Sequence, residues 1–233
     1  MERRQFLGTC AVLSGTGGLS ALTALADTAT RFYERTALVD SYGAPLRVRG
    51  VKDETNYVFQ YPFVGTPCFL LKLDRPVETS ATLKREDGST YEWRGGVGPG
   101  RAIVAFSAIC AHKLAYPTRE VSFIRYQRDA SATSGPRVIH CCADHSVYDP
   151  AEGARVVSGP APQPLAAILL EHDPADDGIH AIGTVGAEQF DAFFDKYKAK
   201  LALEYGESRA RRSVGDTTTV RELSNYCRTT IQC

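Results

Sequence analysis

Residues 103–112 read IVAFSAICAH, and residues 137–149 read RVIHCCADHSVYD. Each is an apolar run that ends in a turn carrying a cysteine and a histidine. The first turn is Cys110-Ala111-His112, and the second is Cys142-Ala143-Asp144-His145. Short apolar runs bounded by turn residues read as buried strands, so both Cys/His pairs stand at strand ends. Working outward, residues 45–51 (PLRVRGV) alternate and residues 68–73 (CFLLKL) form a continuous apolar strand. Residues 91–94 follow an Asp87-Gly88-Ser89 turn, and residues 95–100 (GGVGPG) are a loop by composition. Residues 120–128 and 137–141 flank a turn-rich stretch and predict a hairpin; two more strands are expected at 168–171 and 178–183. Strands this short and closely spaced predict a mainly β protein, an antiparallel sandwich or barrel.

The 233 residues allow one ordinary domain with attachments. Hydrophobic residues make up 43% and charged residues 23%, which excludes a disordered chain or a multi-span membrane protein. Lys plus Arg equals Asp plus Glu at 27 each, so the basic footprint of a nucleic-acid binder is absent.

Residues 1–26 read as a targeting segment. Arg3 and Arg4 precede Gln5-Phe6-Leu7, an uncharged stretch follows, and Ala24-Leu25-Ala26 offers a small-x-small cleavage pattern. Paired arginines before x-Phe-Leu resemble a twin-arginine export signal, which carries folded, cofactor-loaded proteins. The segment is either cleaved or kept as an inner-membrane anchor through residues 6–26; both place the remainder in the periplasm. Residues 27–45 are expected to be a linker and 46–186 the main domain. Phe190, Phe193, Phe194, Tyr197 and Leu201 recur at helical spacing, so 187–206 predicts an amphipathic helix docked on the chain's own core. Residues 207–233 read as a polar tail. Cys227 and Cys233, in an oxidising compartment, are candidates for a disulfide. Cys68 is expected to be buried and inert, and His140, His172 and His180 structural or on the surface.

Two thiolates and two imidazoles from two loops can bind zinc tetrahedrally, or a [2Fe–2S] cluster with both cysteines on one iron and both histidines on the other. C-x-H with C-x₂-H is not the zinc-finger arrangement, in which each half pairs like residues. A mononuclear-iron oxygenase would need a further His/His/carboxylate set, and the three remaining histidines show no such spacing.

SAICAH (107–112), CADHSVYDPAEGARV (142–156) and SGPAPQPL (158–165) resemble the Rieske iron–sulfur proteins, in particular those of cytochrome bc complexes and the small subunit of arsenite oxidase. The likeness spans residues 101–183. It implies a Rieske-type β-sandwich or barrel with a cluster-binding subdomain and one [2Fe–2S] cluster per subunit. Cys110 and Cys142 would bind the inner iron, and His112 and His145 the outer, solvent-facing iron. Ser146 and Tyr148 would donate to a bridging sulfide and a ligand sulfur. Gly159 and Pro160, in a loop reaching Pro162, would cover the cluster. Function would be one-electron transfer as a subunit of an oxidoreductase. Its partners would be a cytochrome b with quinol, a cytochrome c or a larger oxidase subunit.

Three departures stand against the family pattern. Its disulfide between the cluster loops has no counterpart, because Ala115 and Asp144 occupy those positions. Its glycine after the second histidine is missing, so Ser146 and Tyr148 sit one place nearer His145. The separation of His112 from Cys142, 29 residues counted from 113 to 141, exceeds the family's usual spacing.

Overall fold

The computed structural model describes residues 29–75, 77 and 80–233; the expected export segment 1–26 lies outside them. The first strands are β1 (Thr30–Val39), β2 (Tyr57–Gln60), β3 (Pro67–Lys72), β4 (Ala81–Lys84), β5 (Thr90–Trp93) and β6 (Ile103–Ser107). They are followed by β7 (Val121–Ser122), β8 (Ile124–Gln127), β9 (Val138–Cys141), β10 (Ser146–Asp149), β11 (Arg155–Ser158), β12 (Ala167–Asp173) and β13 (Gly178–Val185). The chain ends with α1 (Phe190–Lys196), α2 (Lys198–Tyr205), β14 (Thr217–Thr219), β15 (Arg221–Glu222), α3 (Leu223–Tyr226) and β16 (Thr229–Thr230). The protein is mainly β, as expected.

Among the described residues the largest sheet has the order β14-β1-β13-β12-β6-β3-β2-β15. One short segment closes it: β14 pairs with β1, and two residues later β15 pairs with β2. Between them the Val220 amide donates to Val39 O at 2.8 Å, and within β14 the Thr218 hydroxyl donates to Gln60 O at 2.9 Å. The result is a nearly closed, barrel-like sheet.

Alternation decides where the cores sit. Cys68 and Leu70 of β3, with Ile103 and Ala105 of β6, face an inner core that also holds Leu38, Phe59, Ile168 and Ile179. Phe69, Leu71, Val104 and Phe106 face the other way, onto Trp93, Ile124, Tyr126, Ile139 and Tyr148. Both faces are therefore buried, which is why these strands read as continuous apolar runs. The second core fastens a smaller sheet, β11-β10-β9-β8, against the barrel wall. The small sheet carries the second Cys/His turn.

Four expectations need correction. Residues 45–51 do not form a strand; residues 48–50 make a 3₁₀ turn, and the buried Val48 and Val51 lie three apart, the 3₁₀ period. The expected linker contains the ten-residue β1, whose first half is largely exposed and so looked polar. The single helix divides at Tyr197 into α1 and α2. The polar tail is woven into the sheets, and it adds two parallel pairings, β14 with β1 and β16 with β7, to an otherwise antiparallel fold. Among the described residues no helix is long and apolar enough to cross a membrane.

Candidate metal centre

The first loop leaves β6 and turns tightly. The Cys110 amide donates to Ala115 O at 2.9 Å, and the Leu114 amide donates back to Cys110 O at 3.0 Å. Cys110 is fully buried, while the His112 side chain is 35% exposed. Helix α1 braces this loop. Gln189 donates to Ala111 O at 2.9 Å, Lys196 to Lys113 O at 2.6 Å, and Phe193 packs edge-on to Tyr116. Phe190, Phe193, Phe194 and Leu201 are buried against this loop's Ile109 and Tyr116, so the helical stripe docks on the chain itself.

The second loop is the β9–β10 hairpin connection. Cys141 pairs with Ser146, Ile139 with Tyr148, and residues 142–145 make the turn. The His145 amide closes it onto Cys141 O at 2.7 Å. Because directly opposed residues share a sheet face, Cys141, Ile139, Ser146 and Tyr148 point the same way, into the core beside Cys110. His140 and Val147 point the other way.

Four side chains from the two loops converge. The ligand atoms of Cys110, Cys141 and Asp144 all lie within 4.8 Å of one another. The Cys110 thiol donates to Asp144 Oδ2 at 3.3 Å, and the same oxygen is 3.0 Å from His112 Nδ1. Asp144 Oδ1 is occupied by the Ser146 amide at 3.0 Å. The carboxylate is only 3% exposed, a placement that is costly without partners. The Tyr148 hydroxyl accepts the Ala111 amide at 3.1 Å, leaving its own proton for the Cys110 sulfur 3.5 Å away. Ser146 Oγ is fully buried with no hydrogen-bond partner.

The electrostatics follow from these contacts. Hydrogen bonding from the Cys141 thiol, helped by Tyr148, outweighs burial and brings the Cys110 thiol down to about 7. Cys141 is pushed up in return, first by Cys110 and then by burial. Burial works to raise Asp144, but the Ser146 amide, both thiols and His112 hold it below the ordinary carboxylate value. Burial, then Cys110, raises the Tyr148 phenol, so it remains a donor. Two facing thiols, an imidazole, a buried carboxylate and an orphaned hydroxyl fit an iron–sulfur group. The thiols supply soft ligands, and the hydroxyls can serve as donors to sulfur.

The expected site residues do not all arrive here. Cys110, His112, Ser146 and Tyr148 do. Cys142 does not: its sulfur is bonded to Cys233 at 2.08 Å, and Cys227, proposed as the partner of Cys233, is a free buried thiol. His145 lies with His140 and Cys233, their ligand atoms within 4.8 Å, on the opposite side of the hairpin. Gly159 lies against the turn; a Cβ there would meet His145 O at 2.4 Å and Ser146 Cα at 2.6 Å. Pro160 is exposed, and Pro162 lines a cavity together with His112. The sequence pattern sets Cys141 aside, because only Cys142 has the C-x₂-H spacing to His145, and it places Asp144 at a missing disulfide position. Cys68 is buried as expected, with its thiol donating to Tyr61 O at 3.1 Å.

No family model matches the chain. Among solved structures, it is similar to the soluble domain of the Rieske protein II (soxF) from Sulfolobus acidocaldarius. The identity is 25%, the match covers 67% of this chain and 82% of that one, and the TM-score is 0.46.

Proposed function

We propose that this chain is an electron-transfer protein carrying one [2Fe–2S] cluster between the loop after β6 and the β9–β10 turn. The observation that carries this reading is the convergence of two buried thiols, an imidazole and a buried carboxylate on a pocket with the partnerless Ser146 hydroxyl. The Rieske-like sequence signature adds to it. When bound, the cluster supplies a one-electron couple. The protein's part is to hold and shield. The buried Cys110 and Cys141 keep water from the sulfurs. Tyr148 and Ser146 offer hydroxyl protons, which favour the more negative reduced state. His112, half in solvent, is the group through which a partner is met.

The twin-arginine-like segment supports export in folded, loaded form to the periplasm, free or tethered to the inner membrane. There the chain would serve as the iron–sulfur subunit of an oxidoreductase of the cytochrome bc type, exchanging electrons with quinol and a cytochrome. An oxidase subunit of the arsenite-oxidase kind is the alternative setting.

The test is chemical analysis and EPR of protein purified without oxygen. Iron and acid-labile sulfide in equal amounts, with a signal appearing on one-electron reduction, are expected. Stoichiometric zinc with no signal would refute the reading.

A further inference from the structure

The sequence signature would put Cys110, His112, Cys142 and His145 on the metal, but the geometry points to a different set. We propose that the ligands are Cys110, Cys141, His112 and Asp144, so that a carboxylate stands where a second histidine is expected. This rests on the iron–sulfur reading above. Three independent observations carry it.

The first is strand parity. Cys141 is the last residue of β9 and shares a face with Ile139, Ser146 and Tyr148, the face that looks onto Cys110. Cys142, one residue on, begins the turn, and its sulfur is engaged with Cys233. The two adjacent cysteines are therefore divided between two tasks: Cys141 faces the centre, and Cys142 ties the turn to the C-terminal segment. The tie has its own support, because β16 runs beside β7 and Arg125 donates to Ile231 O at 3.3 Å and to Gln232 Oε1 at 2.5 Å.

The second is Asp144. Its side chain is 3% exposed, and one oxygen lies within reach of both Cys110 Sγ and His112 Nδ1. Oδ1 caps the turn at the Ser146 amide, which leaves Oδ2 facing the thiol and the imidazole. His145, by contrast, is exposed beside His140.

The third is the Ser146 hydroxyl, fully buried and without a partner, on the same face as Cys141. It requires an acceptor that the protein does not supply, and a cluster sulfide in this pocket is one.

Binding through this set releases the two thiol protons to solvent and leaves Asp144 anionic. Two thiolates suit one iron. Imidazole plus carboxylate on the other brings one more negative charge than two imidazoles would, and added negative charge favours the oxidised state. The potential is therefore expected below that of an otherwise identical two-histidine site.

The test compares Cys141→Ser, Cys233→Ser, Cys142→Ser and Asp144→Asn in the full-length protein. Iron, sulfide and EPR are measured, with circular dichroism as a check on folding. Cys233→Ser breaks the same disulfide as Cys142→Ser without touching a candidate ligand. Both are expected to keep wild-type iron, and Cys141→Ser to lose it by more than the about 10–100-fold typical of outer-shell changes. Asp144→Asn, if folded, should lose iron or retain it with altered g-values and a raised potential. Iron lost in Cys142→Ser but kept in Cys233→Ser and Cys141→Ser would overturn the assignment. So would an Asp144→Asn protein with unchanged iron, signal and potential. A wild-type protein without iron would instead count against the function proposed above.

Discussion

Tyr148 shows how much one side chain can do here. Its oxygen takes the Ala111 amide proton, so its own proton has only the Cys110 sulfur to serve. A hydrogen bond to a charged acceptor contributes about 1.5–3 kcal/mol. A tenfold shift of a one-electron couple is about 59 mV, or about 1.4 kcal/mol. Both redox states are charged, so only the difference between them counts. Tyr148→Phe should lower the midpoint by about 30–100 mV at unchanged iron content, read by protein-film voltammetry; an unchanged midpoint would mean the hydroxyl does not reach the ligand sulfur. Cys110, His112, Ser146 and Tyr148, which meet in this pocket, could be picked out in the sequence because each sits at a strand end or in strand register. Cys141 and Asp144, which meet there too, could not, because C-x₂-H singles out Cys142 and His145. The missing glycine was the signal. Counting back from Ser146 and Tyr148 puts His145 in that glycine's place, Asp144 in the histidine's and Cys141 in the cysteine's. His145 has φ 59°, the left-handed region that glycine favours.

At the scale of elements, the α1–α2 unit matters for the site because it braces the Cys110 loop. Phe193 is fully buried, makes edge contacts with Tyr116 and Phe194, and packs at a tilt on the Tyr197 ring. Phe193→Ala should destabilise the protein by about 3–5 kcal/mol, measured by denaturant unfolding, and iron should leave faster when challenged with a chelator. Stability within about 1 kcal/mol of wild type would show that the docking is peripheral. The helical stripe was readable because aromatic residues at three- and four-residue spacing dominate it. β1 was not, because its first half is exposed on a barrel surface and its polarity mimics a linker. The tail strands were unreadable for another reason: β14, β15 and β16 hold on chiefly through backbone pairing to distant strands, which leaves no local pattern in the side chains.

On the scale of the whole molecule, the C-terminal segment closes the barrel and then ties itself to the turn beside the site. The Cys142–Cys233 bond spans a sequence separation of 91. Chain-entropy reasoning gives such a cross-link at most about 4–5 kcal/mol. Cys233→Ser, or mild reduction, should therefore lower Tm, by about 10 °C at the scale of a 233-residue chain. Because neither cysteine holds metal in this account, the colour should persist below the new Tm. Bleaching at room temperature on disulfide reduction would contradict that. Coordination by one histidine and one aspartate is tested by pulsed EPR of the reduced full-length protein, with histidine carrying ¹⁵N and all other nitrogen ¹⁴N. Strong ¹⁵N couplings from one coordinated imidazole are expected, assigned to His112 by their loss in His112→Ala. Couplings from two imidazoles would contradict it.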